Sequence, residues 1–153
     1  MDLILFDTPH GLMGLAEEGG AITALYLPGR GIPRIATRET PLLTEGRRQL
    51  TEYFSGTRRE FDLPLQPRGT PFREEVWAAL RAVPYGETIT YAQLAQRIGR
   101  PKAVRAVGQA NHYNPIPIFI PCHRVVGAGG ALTGYAGGVE LKKQLLDLEQ
   151  EPG

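Results

Sequence analysis

A chain of 153 residues with 42% apolar and 22% charged side chains can bury an ordinary core and is not globally disordered. Its formal charge is only +1, and no stretch approaches the ~18 consecutive apolar residues of a membrane helix. A single cysteine excludes an internal disulfide and a cysteine-rich metal site, and fits a reducing, cytoplasmic compartment.

The first third reads as strands: Leu3–Phe6, Leu12–Ala16 and Ala21–Tyr26, separated by Pro9-His10-Gly11 and Glu18-Gly19-Gly20. The opening run from Met1 to Asp7 has no basic lead, so a first strand is expected there and not a signal peptide. The Gly19-Gly20 pair predicts a hairpin. Thr40-Pro41 predicts an N-cap and first helical turn, with Leu43, Leu50, Tyr53 and Phe54 on one face and a stop before Gly56. Residues 57–69, with Pro64, Pro67 and Gly69, read as a connector between two lobes.

From Thr70-Pro71 the period turns helical. Phe72, Val76, Trp77, Leu80 and Val83 recur at helical spacing until Pro84-Tyr85-Gly86. Thr90 with Gln93 three residues on predicts a capping box, and Gly99 a stop. Arg100-Pro101 is expected to open a third helix through Ala103, Val104, Val107 and Ala110. Two short helices around a tight glycine turn have the layout of a helix-turn-helix, or of a generic helical hairpin. A last helix is expected from Val139 to Glu149, packing through Leu141, Leu145, Leu146 and Leu148.

Charge is unevenly placed along this order. Residues 1–67 carry net −2, residues 68–124 net +5 and residues 125–153 net −2. Arginine supplies seven of the eight cations in the middle segment, which suits phosphate contacts and equally a solvated basic face.

The only cysteine lies in Pro121-Cys122-His123-Arg124-Val125, after an apolar run that ends in proline. A lone thiol is a nucleophile or a small packed hydrophobe, and both readings stand at this point. The imidazole and guanidinium that follow would each favour thiolate over thiol. Neighbours along an extended chain point apart, so direct contact between Cys122 and His123 is not expected.

Together these segments resemble the O6-alkylguanine-DNA alkyltransferases, the methylated-DNA–protein-cysteine methyltransferase family. The resemblance is carried by Asn114-Pro115-Ile116-Pro117, Ile120-Pro121-Cys122-His123-Arg124-Val125-Val126, Val83 to Tyr91, Ala103 to Gly108 and Thr133 to Gly138. These ordered blocks lie between Phe72 and Glu149, and the first seventy residues fit only by length and class.

The resemblance implies an α+β protein: a small sheet-and-helix lobe over 1–67, then a mainly helical lobe over 68–153 that holds the helix-turn-helix and the reactive cysteine. It implies single-turnover transfer of an alkyl group from guanine O6 to Cys122. His123 would draw the thiol proton through a bridging water, and Glu149 would orient the imidazole. Asn114 would tie the helix-turn-helix to the active-site strand. Tyr91 would shape the pocket, crowd the flanking phosphate and hydrogen-bond the departing base. Arg105 would fill the stack vacated by the flipped base, with Ala103, Ala106 and Gly108 letting the helix lie close to DNA and Arg124 joining the DNA contacts. Tyr135, Ala136, Gly137, Pro117 and Val125 would line the base pocket, with Ala136 where some relatives place a serine.

The implied partner is double-stranded DNA carrying O6-alkylguanine, with O4-alkylthymine left open. No cofactor, metal, membrane contact or fused sensor domain is expected, and the protein is expected to be a monomer. A non-catalytic helix-turn-helix that binds DNA or lesions is the alternative, although it leaves the Pro-Cys-His-Arg block unexplained. A thiol hydrolase would place its histidine far from the cysteine in sequence.

Overall fold

The computed structural model describes residues 1–29 and 31–151, so the last two residues of the expected 68–153 lobe lie outside it. Strands β1 (Asp2–Thr8), β2 (Gly11–Glu18) and β3 (Ala21–Tyr26) form an antiparallel meander in that order. Glu18 pairs with Ala21, and the two glycines between them have φ of +61° and +81°, as a two-residue hairpin with the strands' twist requires.

Helix α1 (Pro41–Phe54) begins where the sequence predicts, with Thr40 Oγ1 accepting from Leu43 N at 3.1 Å. Leu43, Leu50 and Tyr53 press onto Leu15, Ile22 and their neighbours. The helix comes so close that a Cβ at Gly46 would stand 2.6 Å from Leu15 Cδ2. The 57–69 connector is not a loose linker. Ile22 N donates to Pro64 O and Gln66 N to Ile22 O, both at 2.8 Å, so residues 64–66 extend the sheet at β3.

The remaining elements are α2 (Pro71–Leu80), β4 (Ile89–Thr90), α3 (Tyr91–Arg97), α4 (Val104–His112), β5 (Val125–Val126) and α5 (Val139–Gln150). The Thr90–Gln93 capping box is formed in both directions, and Gly99, at φ +73°, ends the turn after α3. The third helix does not open at Arg100-Pro101. Pro101 and Lys102 form the turn, and Ala103, at φ −95° and ψ 29°, caps α4 without a side-chain bond. Trp77 Nε1 donates to Ala110 O at 2.8 Å, which fixes α4 against α2.

Two short parallel strands position the site. Ile89 pairs with Val125 and Thr90 with Val126. That pairing ties the start of α3 to the strand that follows the Cys122–Arg124 turn. One continuous apolar cluster runs from Ile4 in the sheet to Leu145 in α5 and includes Cys122 and Tyr135. The fold is α+β. Leu146 and Leu148 are only half-buried, whereas Lys142 and Glu149 share the inward face of α5 with Leu141 and Leu145.

Candidate active site

The chain reaches Cys122 through a series of tight turns. Asn114 opens the series: its Oδ1 accepts from Ile116 N at 3.0 Å and its Nδ2 donates to Ile120 O at 2.8 Å. Ile120 N then donates back to Ile116 O at 2.9 Å, and Cys122 N to Ile120 O at 2.7 Å. Ile118 takes a φ of +73°, a conformation that costs a β-branched residue roughly 1–3 kcal/mol and that the surrounding bonds must hold. Asn111, at the end of α4, adds Nδ2 to Cys122 O at 3.3 Å.

Cys122 to Arg124 is a 3₁₀ turn, not part of an extended strand. Both flanking side chains therefore face inward and meet α5. His123 is fully buried, and its Nε2 lies 2.6 Å from Glu149 Oε2. The carboxylate can only accept, so Nε2 carries the proton and Nδ1 is left with its lone pair. Among the described residues Nδ1 has no hydrogen-bond partner. It is a buried base waiting for a donor.

Arg124 corrects the expectation of a DNA contact. The residue is 6% exposed; its Nε and Nη2 donate to the two Glu149 oxygens at 2.8 and 3.1 Å, and its Nη1 to Val83 O at 2.7 Å. Glu149 also accepts from Gly86 N at 3.2 Å and from Tyr53 Oη at 2.6 Å. Although burial acts to raise it, hydrogen bonds and charge from His123 and Arg124 hold the Glu149 carboxyl well below the usual carboxylate range.

The thiol itself behaves otherwise than the neighbouring cations suggest. Burial pushes Cys122 up to about 11, with the Asn114 side chain and the Lys142 charge pulling partly the other way. The reason is geometric: the Arg124 guanidinium is spent on Glu149, and His123 is kept neutral by burial, which lowers its own pKa. In this resting state the thiol is therefore held in its protonated form at neutral pH.

The glycine-rich segment 127–138 forms a wall whose Tyr135 shares a core cluster with the thiol. Tyr135 is 7% exposed, Pro117 and Val125 are buried, and Ala136 and Gly137 are half-buried beside them. A Cβ at Gly137 would stand 2.8 Å from both Leu27 Cδ1 and Leu141 Cδ2, so only glycine lets the segment lie so close. Three bonds latch its centre: Lys142 Nζ and Tyr91 Oη donate to Thr133 O at 2.9 and 3.4 Å, and His112 Nδ1 donates to Gly134 O at 3.2 Å. Cys122 is 3% exposed.

A cavity of about 660 Å³ lies on the other side of that wall, against α4. Tyr91, Arg105, Gly108, His112, Tyr113 and Gly134 line it together with Arg73. Arg105 and Ala106 are exposed, and Ala103 and Gly108 half-buried. The Arg73 guanidinium sits 4.7 Å from the centre of the exposed Tyr113 ring. The fold thus gathers Cys122, His123, Glu149 and Asn114 in one buried cluster and presents Arg105 and Tyr91 in a neighbouring cleft, with Tyr135 and its loop between them.

Sequence reasoning missed Tyr53, Asn111 and Lys142. Lys142 and Glu149 left one signal, as charged residues on the apolar stripe of the last helix. Tyr53 left none, because its position on a helical face also suits plain packing. Among the described residues no group of three or more His, Cys, Asp or Glu side chains could hold a metal, and no helix is long and apolar enough to cross a membrane.

Comparison with known proteins agrees along the whole chain. Residues 71–151 match the 6-O-methylguanine DNA methyltransferase DNA binding domain, and residues 3–67 the ribonuclease-like domain of the same enzymes. A constitutive methylated-DNA–protein-cysteine methyltransferase of Bacillus subtilis is 49% identical over 152 residues, covering 94% of this chain and 92% of the relative. One from Methanosarcina acetivorans is 46% identical over 149 residues, covering 95% and 96%. The crystal structure of Mycobacterium tuberculosis OGT in complex with DNA superposes with a TM-score of 0.92 at 44% identity, covering 98% of this chain and 93% of that one. The chain belongs to the methylated-DNA–protein-cysteine methyltransferase family.

Proposed function

We propose that this protein repairs DNA by direct reversal, moving an alkyl group from guanine O6 to Cys122 once per molecule. The observation that carries the reading is the buried Glu149–His123 pair, whose Nδ1 has no partner among the described residues and whose imidazole is the next side chain after the only cysteine. A thiol near 11 needs a base at the moment of reaction, and a neutral buried imidazole is one. His123 Nδ1 takes the Cys122 proton through an intervening water. The sulfur then forms a bond to the alkyl carbon as the carbon–O6 bond breaks. Guanine leaves with that electron pair and is reprotonated, Tyr91 supplying a hydrogen bond. The S-alkyl bond is stable, so the protein does not turn over.

Asn114 acts by holding the strained turn that aims the sulfur. Arg105 enters the duplex from α4 and occupies the place of the extruded nucleotide, offsetting part of an unpairing cost of a few kcal/mol. Ala103, Ala106 and Gly108 keep that helix close to the minor groove. Tyr135 stacks on the everted base, and Pro117, Val125, Ala136 and Gly137 bound its alkyl group. Access requires the 127–138 segment to lift from the thiol. The chain works as two lobes, 1–67 and 68–153, as a monomer on double-stranded DNA and in the cytoplasm, where its thiol stays reduced.

Cys122→Ala tests the chemistry. With a duplex carrying one O6-methylguanine, the variant should bind as the wild type does and repair nothing. Repair by the variant would overturn the proposal.

A further inference from the structure

Five donors converge on the buried Glu149 carboxylate. Oε1 accepts from Arg124 Nε and Gly86 N, and Oε2 from Arg124 Nη2, His123 Nε2 and Tyr53 Oη. A carboxylate offers about four lone-pair sites, so three donors share one oxygen. The Tyr53 hydroxyl is therefore not needed to satisfy the carboxylate; it competes with the imidazole for Oε2. It is 2.6 Å from that oxygen and 3.5 Å from His123 Nε2 itself.

We infer that Tyr53 is a positioning residue for the transfer reaction: its hydroxyl, supplied by α1 from the sheet side, fixes Glu149 Oε2 and sets the proton affinity of His123. The inference rests on the alkyl-transfer reading of Cys122. The ring is fully buried and locked edge-on by Phe54 and Tyr85, with Phe61 tilted against it, at centroid distances of 5.6, 6.2 and 5.4 Å. Its hydroxyl cannot swing away.

A proton donated to Oε2 draws charge from that oxygen and weakens its hold on an imidazolium. His123 is thereby kept neutral and able to accept. The charged groups that act on it are Glu149 and Lys142 of α5 and Arg124, and Tyr85 and Tyr135 face the same carboxylate. All of them stay in place when only the Tyr53 hydroxyl is removed.

The test is the pH dependence of single-turnover transfer from an O6-methylguanine duplex, with full-length wild type, Tyr53→Phe and Tyr53→Leu. Protonating His123 stops the reaction, so the rate falls on the acid side. Without the hydroxyl His123 becomes more basic, and that acid limb moves to higher pH by roughly half to one unit. Tyr53→Leu also loses the ring and melts lower, yet shows the same displacement. A limb that stays at its wild-type pH in both variants overturns the inference, whatever happens to the melting temperature. Absence of transfer by the wild type is a different result, and strikes the reading of Cys122 instead.

Discussion

Arg124 and Glu149 form the pair on which the site's residues depend, because both are buried and each neutralises the other. Removing one partner leaves an uncompensated charge, which costs about 3–5 kcal/mol. Arg124→Ala should lose that much stability in urea unfolding, and Arg124→Lys should recover little of it, since an ammonium cannot span both oxygens and Val83 O. If Arg124→Ala costs under 1 kcal/mol, the pair is not what holds the carboxylate. The same groups set the acid sensitivity. His123 and Glu149 both have folded pKa values below their ordinary values of 6.5 and 4.5. Below each ordinary value the unfolded chain binds a proton that the folded chain refuses, so stability is full above it and drains as pH falls. The loss should begin below pH 6.5 through His123 and steepen below 4.5 through Glu149, with the second phase missing in Glu149→Gln.

Elements whose ends are set by adjacent residues were legible in the sequence. Thr40, Thr70 and Thr90 each cap the helix predicted for them, because the capping hydrogen bond spans only three residues. The start of α4 was misread because Arg100-Pro101 looks like a first helical turn, while the left-handed Gly99 forces one more turn of loop. The pairing of residues 64–66 with Ile22, the convergence of Tyr53 on Glu149 and the inward turn of Arg124 all join residues more than 20 positions apart, and no local pattern encodes them. Helix α4 also yields a prediction that separates fold from function. A Cβ at Gly108 would meet nothing nearer than Tyr91 Cδ1 at 3.8 Å, an ordinary contact. Gly108→Ala should therefore melt no lower than wild type, and up to ~1 kcal/mol higher by helix propensity. It should nonetheless weaken DNA binding, because the added methyl stands on the face that carries Arg105. Unchanged affinity by fluorescence titration would remove α4 from the interface.

The whole molecule is closed over its reactive atom: Cys122 and Tyr135 belong to the same core cluster, latched by Lys142, Tyr91 and His112. On the proposed route of access through the 127–138 segment, amide hydrogen exchange there should speed up in the complex while α2 and α5 stay protected. Reaction then places an alkyl group in a core packed without it. Overpacking of this kind costs about 1–3 kcal/mol, and the repaired form should melt lower by about 2–4 °C per kcal/mol. These effects all follow from one event at one sulfur, and intact-protein mass after incubation with a duplex bearing a single O6-methylguanine reads it directly. The account predicts a gain of one methyl group, mapped to the Cys122 peptide and stopping at one equivalent. An unchanged mass with the lesion repaired, or a methyl group found on any other residue, would contradict it.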